Sequence, residues 1–309
     1  MKVHFWGVRG SLPVPGPRTE RYGGNTSCVE VCSAAGTRVI IDAGTGIRRL
    51  GKDLMRGDFE SGKGVAHILI SHTHWDHIQG LPFFAPFYRA GNRLFVYARQ
   101  RDDQNLRSVL AVQADTPFFP VPFHQTRADV SFRELNDGAR FGIEEMEIGC
   151  TRLNHPYIAT AYSLAADGAK VAYISDTAPF TEVLFGQEFL AGPSRLGPLS
   201  RTDRARLQSM RDQVVRLCEG ADLVIYDTMF TPEEYRRTPH FGHSRPSDAI
   251  EICREAGATR LALYHHSPDR ADGEVDSVLA TARLEAAKVA PKLEVFAAFE
   301  GLELALGKD

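Results

Sequence analysis

Ile68-Leu69-Ile70-Ser71-His72-Thr73-His74-Trp75-Asp76-His77 is the stretch on which the reading of this chain turns. An apolar run, read as the end of a buried strand, gives way to three histidines and an aspartate within six positions. Imidazole and carboxylate are the ligands a divalent transition metal takes. His72 and His74 lie two apart, so on an extended tail their side chains point the same way. Asp76 and His77 are adjacent, and at a turn into a helix they aim at a second point nearby. The layout predicts two metal ions side by side, each completing its shell with ligands from elsewhere in the chain. Isolated histidines carry no such weight, and His4, His67 and His124 are read as core or surface residues.

At 309 residues the chain has room for one large α/β domain or two small ones. Its 43% hydrophobic and 24% charged residues are ordinary for a globular protein with a substantial core. A formal charge of −3 and a pI near 6.4 argue against a general nucleic-acid-binding surface, which is usually strongly basic. The five cysteines (Cys28, Cys32, Cys150, Cys218 and Cys253) form no CxxC pair and read as buried thiols of a reducing compartment. Met1 is not followed by a signal-peptide apolar core, and no apolar run approaches the ~20 residues of a membrane span. The expectation is a cytoplasmic protein.

In chain order, residues 2–8 read as a strand, followed by a Gly/Pro-rich loop over 9–17 and a second flexible stretch over 22–27. These are either tight turns or a substrate loop. Strands are expected at 28–32 and 38–46, with Asp42 either orienting a metal-binding histidine from behind or serving a structural turn. A helix over 46–56 precedes the strand 65–71 that delivers the metal loop. Beyond it come a strand at 94–98, a helix over 103–114, and an irregular aromatic segment, 116–123, whose three prolines forbid a regular interior element. That segment walls a pocket, covers a subunit interface or fills the core beneath a loop. Sheet follows over 129–153, then a hairpin turning on Asp167-Gly168. Residues 185–205 read as a surface insertion, whose arginines, Arg195, Arg201 and Arg204 with the adjoining Arg206, have a solvated face as their other reading. A helix over 206–219, a strand ending at Asp227, a helix over 247–256 closed by Gly257, a strand delivering His265, a helix over 274–290 and a terminal strand over 293–305 complete the chain. Neither a repeat nor a linker interrupts it, so a single domain, 1–309, is expected. Apolar strands end at His72, Asp176, Asp227 and His265, where α/β folds carry functional groups.

The metal loop, with Gly80-Leu81-Pro82 after it, resembles the signature of the metallo-β-lactamase-fold hydrolases. The closest form is the phosphodiesterase branch, which includes the tRNA 3′-processing endonuclease and cyclic-nucleotide phosphodiesterases. Asn154-His155-Pro156, Tyr173-Ile174-Ser175-Asp176-Thr177, Gly242-His243-Ser244 and Leu263-Tyr264-His265-His266-Ser267 resemble the later motifs of that branch, in its order. Asp227, in Ile225-Tyr226-Asp227-Thr228, departs from the Glu of the endonuclease. The resemblance implies an α/β fold, a four-layer αβ/βα sandwich. It implies that His72, His74 and His155 hold one metal, that Asp76, His77 and His265 hold the other, and that Asp176 bridges them. Zinc is the favoured ion, with manganese or iron also compatible. Asp76, His243 and Asp227 are the implied catalytic residues, His243 as the acid that protonates the leaving oxygen and Asp227 as the group that orients it. His240 and His266 are their rivals in sequence. Ser11 and Asn25 in the early loops, and Phe118 and Phe119 in the aromatic segment, are candidate substrate contacts.

The endonuclease commonly carries a long arm between its third histidine and its bridging aspartate, and here a hairpin alone separates His155 from Asp176. The expected activity is therefore hydrolysis of a small phosphodiester, a 3′,5′-cyclic nucleotide first, by attack of a metal-bridging hydroxide. The alternative is an RNA-processing endonuclease of the tRNA 3′-end type, gripping RNA with the arginines of 185–211. A non-catalytic metal-binding or sensing domain is the third reading, against which the His243–Asp227 pair speaks, because a binding module needs no proton donor. A homodimer through the aromatic segment is also expected.

Overall fold

Val39-Ile40-Ile41 and Ala66-His67-Ile68-Leu69 are apolar on both alternating faces and almost wholly buried. Strands covered on both sides in the parallel part of a sheet read this way. A computed structural model describes residues 1–115, 118–181, 199–238 and 241–307. It divides the chain into two compact units, Met1–Asn136 with Phe299–Ala305 and Asp137–Ala298 with Leu306–Asp309.

In the first unit the elements run β1 (Lys2–Gly7), β2 (Cys28–Cys32), β3 (Arg38–Ile41), α1 (Ile47–Leu54), β4 (Val65–Leu69), α2 (Trp75–Ile78), β5 (Arg93–Arg99), α3 (Leu106–Val112) and β6 (Asp129–Leu135). Strands β1, β2 and β3 pair antiparallel, whereas β3, β4, β5 and β6 run parallel. Helix α1 buries Ile47, Leu50 and Leu54 in a core with Ile40, Ile68, Phe84, Phe87 and Val96. Each such side chain withdrawn from water contributes about 1.5–3 kcal/mol.

The second unit contains β7 (Arg140–Ile143), β8 (Met146–Arg152), β9 (Thr160–Ala166), β10 (Ala169–Ile174), α4 (Arg201–Cys218), β11 (Leu223–Asp227), α5 (Pro232–Arg237), α6 (Pro246–Ala256), β12 (Arg260–Tyr264), α7 (Asp272–Val289) and β13 (Glu294–Ala297). Its sheet, in the order β13-β12-β11-β10-β9-β8-β7, is parallel from β13 to β10 and antiparallel from β10 to β7. The last strand of the chain, β14 (Glu303–Ala305), pairs antiparallel with β1 in the first unit. The fold class is the one expected, two mixed seven-stranded sheets flanked by helices. In each unit the parallel half of the sheet brings successive strands to end on the same edge.

Three elements differ from the sequence reading. Helix α4 starts at Arg201 rather than 206, because the Ser200 side chain caps it by accepting from the Asp203 amide. The expected terminal strand is two strands of different sheets, parted by a turn in which Gly301 takes φ +88°. Helix α5 was not anticipated, although Thr231 and Glu234 form a capping box around Pro232. Part of the expected 185–205 insertion, with Arg195, lies outside the described residues, as do 116–117 and His240. The Asp167-Gly168 turn is as expected, with both residues at positive φ. All five cysteines are free thiols, Cys32 half-buried and the others buried. Among the described residues no helix is long and apolar enough to cross a membrane.

Candidate metal centre

The first candidate set follows β4. His72, Asp76 and His77 are buried, and His72 Nε2 and His74 Nδ1 approach to 3.0 Å, two ring nitrogens aimed at a common point. His77 Nε2 lies 3.2 Å from Asp76 Oδ2. Behind them stands Asp42, at the end of β3, its Oδ2 2.7 Å from His77 Nδ1. A carboxylate accepts, so the shorter Asp42 contact holds a proton on Nδ1, and Nε2, on the side of Asp76, is the nitrogen a metal would take. Asp42 also accepts from the Ser71 amide at 2.7 Å and from the Ser71 hydroxyl at 2.8 Å. It does so at φ +62°, a left-handed conformation that aspartate tolerates better than most residues. The Ser11 amide donates to Asp76 Oδ2 at 2.7 Å. Gly44 and Gly80 let the loop close, since a Cβ on Gly44 would collide with the Asp76 carbonyl and one on Gly80 with the carbonyl of Gly44.

The second set comes from separate elements of the other unit. Asp176 follows β10, Asp227 ends β11 and His265 follows β12, so three parallel strands deliver them to one edge. His155 follows β8, and His243 lies in the loop before α6. Ligand atoms of Asp176, Asp227, His243 and His265 all lie within 4.8 Å of one another. Asp176 Oδ1 is 3.2 Å from His265 Nε2, and its Oδ2 is 3.9 Å from His155 Nε2 and 3.8 Å from His243 Nδ1. His155 Nδ1 donates to the Gly242 carbonyl at 2.8 Å, which leaves Nε2 bare on the side of Asp176. Gly242 sits at φ +82°, and a Cβ there would run into the His155 ring.

Asp227 is fully buried, and its Oδ2 is 3.0 Å from His243 Nδ1. The same carboxylate accepts from the amides of Thr177 at 3.2 Å and Met229 at 3.1 Å, which fixes its direction. The His243 ring stacks on His265, centroids 5.1 Å apart, and meets Phe230 edge-on. His265 lies at φ +59°, a strained position for a residue immediately after a strand. Each set is chemically suited to divalent metal: mostly buried imidazoles and carboxylates, with the second nitrogens of His77 and His155 anchored on oxygens. Metal identity is not written in it.

The remaining sequence-singled residues have other surroundings. His266 Nε2 is 2.8 Å from the Ala298 carbonyl, so it is committed to the backbone while its neighbour His265 faces Asp176. His67 bonds Tyr97 and stacks on Phe95, and His4 packs on Trp6, as core and surface residues do. Asn25 gives both its amide and its side-chain nitrogen to Glu300, at 2.6 and 2.8 Å, a tie between loops. Phe118 is 73% exposed, whereas Phe119 packs on the first unit's core and edge-on to Phe83. Ser71 and Gly242, which hold Asp42 and His155 in place, were not singled out from the sequence for those roles.

The sequence profile of the beta-lactamase superfamily domain matches residues 37–192. Ribonuclease Z of Haloarcula marismortui is 25% identical over 291 residues, 86% of each chain. Among solved structures, the metallo-beta-lactamase fold protein YhfI from Bacillus subtilis gives a TM-score of 0.65 at 17% identity, over 98% of both chains. The short form of human tRNase Z gives 0.64 at 19% identity, over 100% of both. At these identities the solved structures speak for the fold.

Proposed function

The chain belongs to the beta-lactamase superfamily, and from that premise we propose that it is a metal-dependent phosphodiesterase that cleaves RNA, of the tRNA 3′-end processing type. The observation that carries the phosphodiester reading is the His243 Nδ1–Asp227 Oδ2 contact of 3.0 Å. It supports a proton donor whose Nδ1 is engaged by Asp227 and whose ring lies beside Asp176 and His265, and the departure of an alkoxide requires such a donor. RNA moves ahead of the cyclic nucleotide expected from sequence because relatives aligned over most of the chain are ribonucleases by name.

In this reading residues 1–309 act as one hydrolase domain. His72, His74, His155, Asp76, His77, His265 and Asp176 would hold the two divalent ions, zinc first. Such ions, when bound, acidify water and neutralise phosphoryl charge. Asp42 keeps His77 in the ligand-competent tautomer, and the Gly242 carbonyl does the same for His155. Asp227 holds the Nδ1 proton of His243 so that Nε2 delivers the other proton to the leaving oxygen. A cytoplasmic location and a homodimer through 116–123, where Phe118 is 73% exposed, complete the reading. Light scattering tests the dimer.

A cyclic nucleotide stays as the second reading on one observation: β9 and β10 turn on Asp167-Gly168, leaving no arm between His155 and Asp176. One assay separates them, metal-loaded protein offered a precursor tRNA with a 3′ trailer and a panel of 3′,5′-cyclic nucleotides. Trailer removal is the expected result. Intact precursor with rapid opening of the cyclic phosphate would transfer the assignment to the second reading.

A further inference from the structure

Trp75 stands in the metal loop between His74 and Asp76 and is 64% exposed. The loop that carries it is fixed on several sides. Thr73 Oγ1 accepts from Arg101 Nη1 at 3.2 Å, and that guanidinium is gripped by both oxygens of Asp103. Asp76 is held by the Ser11 amide, and His77 by Asp42. Trp75 is the first residue of α2, whose buried side is Asp76, His77 and Ile78, so packing of the helix makes no demand on the indole. The other tryptophan, Trp6, is 6% exposed and donates to Glu30 Oε2 at 2.9 Å. One indole is thus a core residue, and the other is a large flat apolar surface held out on a rigid support.

An exposed indole beside metal-ligand residues has a use when the substrate brings an aromatic plane next to each phosphate. Nucleic acids do so, and every base offers a π-face whatever its sequence. We propose that Trp75 is a stacking platform for a nucleobase of the substrate. The assignment rests on the phosphodiester reading and adds to it how a base is held without being read. A base is favoured over a second copy of the chain because the indole adjoins ligand residues on both sides in sequence.

The test uses the fact that the chain has two tryptophans. In a Trp6→Phe background, metal-loaded protein is mixed with a short oligoriboadenylate or with an abasic strand of equal length, and fluorescence is read ahead of turnover. Quenching by the strand with bases, and little by the abasic one, is expected. Trp75→Leu should bind the adenylate roughly 5- to 150-fold more weakly, and Trp75→Phe should keep most of the affinity, both with unchanged metal content. Equal quenching by the abasic strand, wild-type affinity in Trp75→Leu, or a loss of self-association in that variant would overturn the proposal. Base-dependent quenching without cleavage of precursor tRNA leaves the platform standing and removes the ribonuclease reading. Cleavage of precursor tRNA with undiminished affinity in Trp75→Leu does the reverse.

Discussion

The two units assemble their ligand-type residues in opposite ways. In the first, His72, His74, Asp76 and His77 come from one loop behind one strand. In the second, His155, Asp176, Asp227, His243 and His265 come from five separate places between β8 and α7. The local set depends on a single turn and its props, Asp42, Ser71, Gly44 and Gly80. The dispersed set depends on sheet register, because Ile174 pairs with Tyr226 and Asp227 with Tyr264, which brings the ends of β10, β11 and β12 level. A turn can be damaged without disturbing a sheet. A set built on register has no such insulation, and its members also lean on one another, Asp227 on His243 and His243 on His265.

The largest effect is expected at the centre of the dispersed set. Asp176 faces His155, His243 and His265, so Asp176→Ala should lose bound divalent metal and nearly all turnover. Elemental analysis beside an activity assay checks it, and full metal stoichiometry with wild-type turnover would remove Asp176 from the ligand set. Next comes His243→Ala, which should keep its metals. General acid catalysis contributes ~10²–10⁴-fold, so turnover should fall within that range for an alkoxide leaving group. The loss should be much smaller for bis(p-nitrophenyl) phosphate, whose phenolate leaves without a proton. Equal losses on both substrates would make His243 a ligand or a structural residue.

The local set is probed through its prop. Asn keeps the left-handed conformation available at φ +62°, so Asp42→Asn isolates the loss of the carboxylate behind His77. Removing such a partner costs ~10–100-fold in metal affinity or activity. Competition with a chelating dye measures it, and an unchanged affinity would mean that the turn alone orients His77.

The contrast also explains what the sequence made legible. Four ligand-type residues behind an apolar run are visible without any fold, and so are the strands that end on Asp176 and Asp227. The choice between His265 and His266 was not visible, because it depends on β12 ending at Tyr264 and on the Ala298 carbonyl taking His266. Gly242 looked like a motif residue, and its reason is the imidazole of a residue far away in sequence. The terminal strand was misread because two short apolar runs parted by one glycine turn look continuous until each finds its own sheet. Local chemistry was readable, and so were the carboxylates Asp42 and Asp227 behind their histidines; the backbone carbonyls that take His155 and His266 were not.

The smallest effect is expected at the thiols, which belong to neither set. Burial pushes Cys218 up to about 12, and burial with the neighbouring Glu30 carboxylate pushes half-buried Cys32 to about 12. Cys28 and Cys253 are raised as well, chiefly by burial. The thiolate is the reacting form, so a raised value means that almost none is present until the pH approaches 12. At pH 8 the native protein should react with a thiol reagent slowly or not at all, and all five cysteines should react once guanidinium unfolds it. Metal content and turnover should be the same before and after exposure to the reagent. Rapid labelling of Cys218 would mean that its helix opens readily. Labelling that strips metal would place sulfur in a ligand set and end the contrast drawn between two sets built only from imidazole and carboxylate.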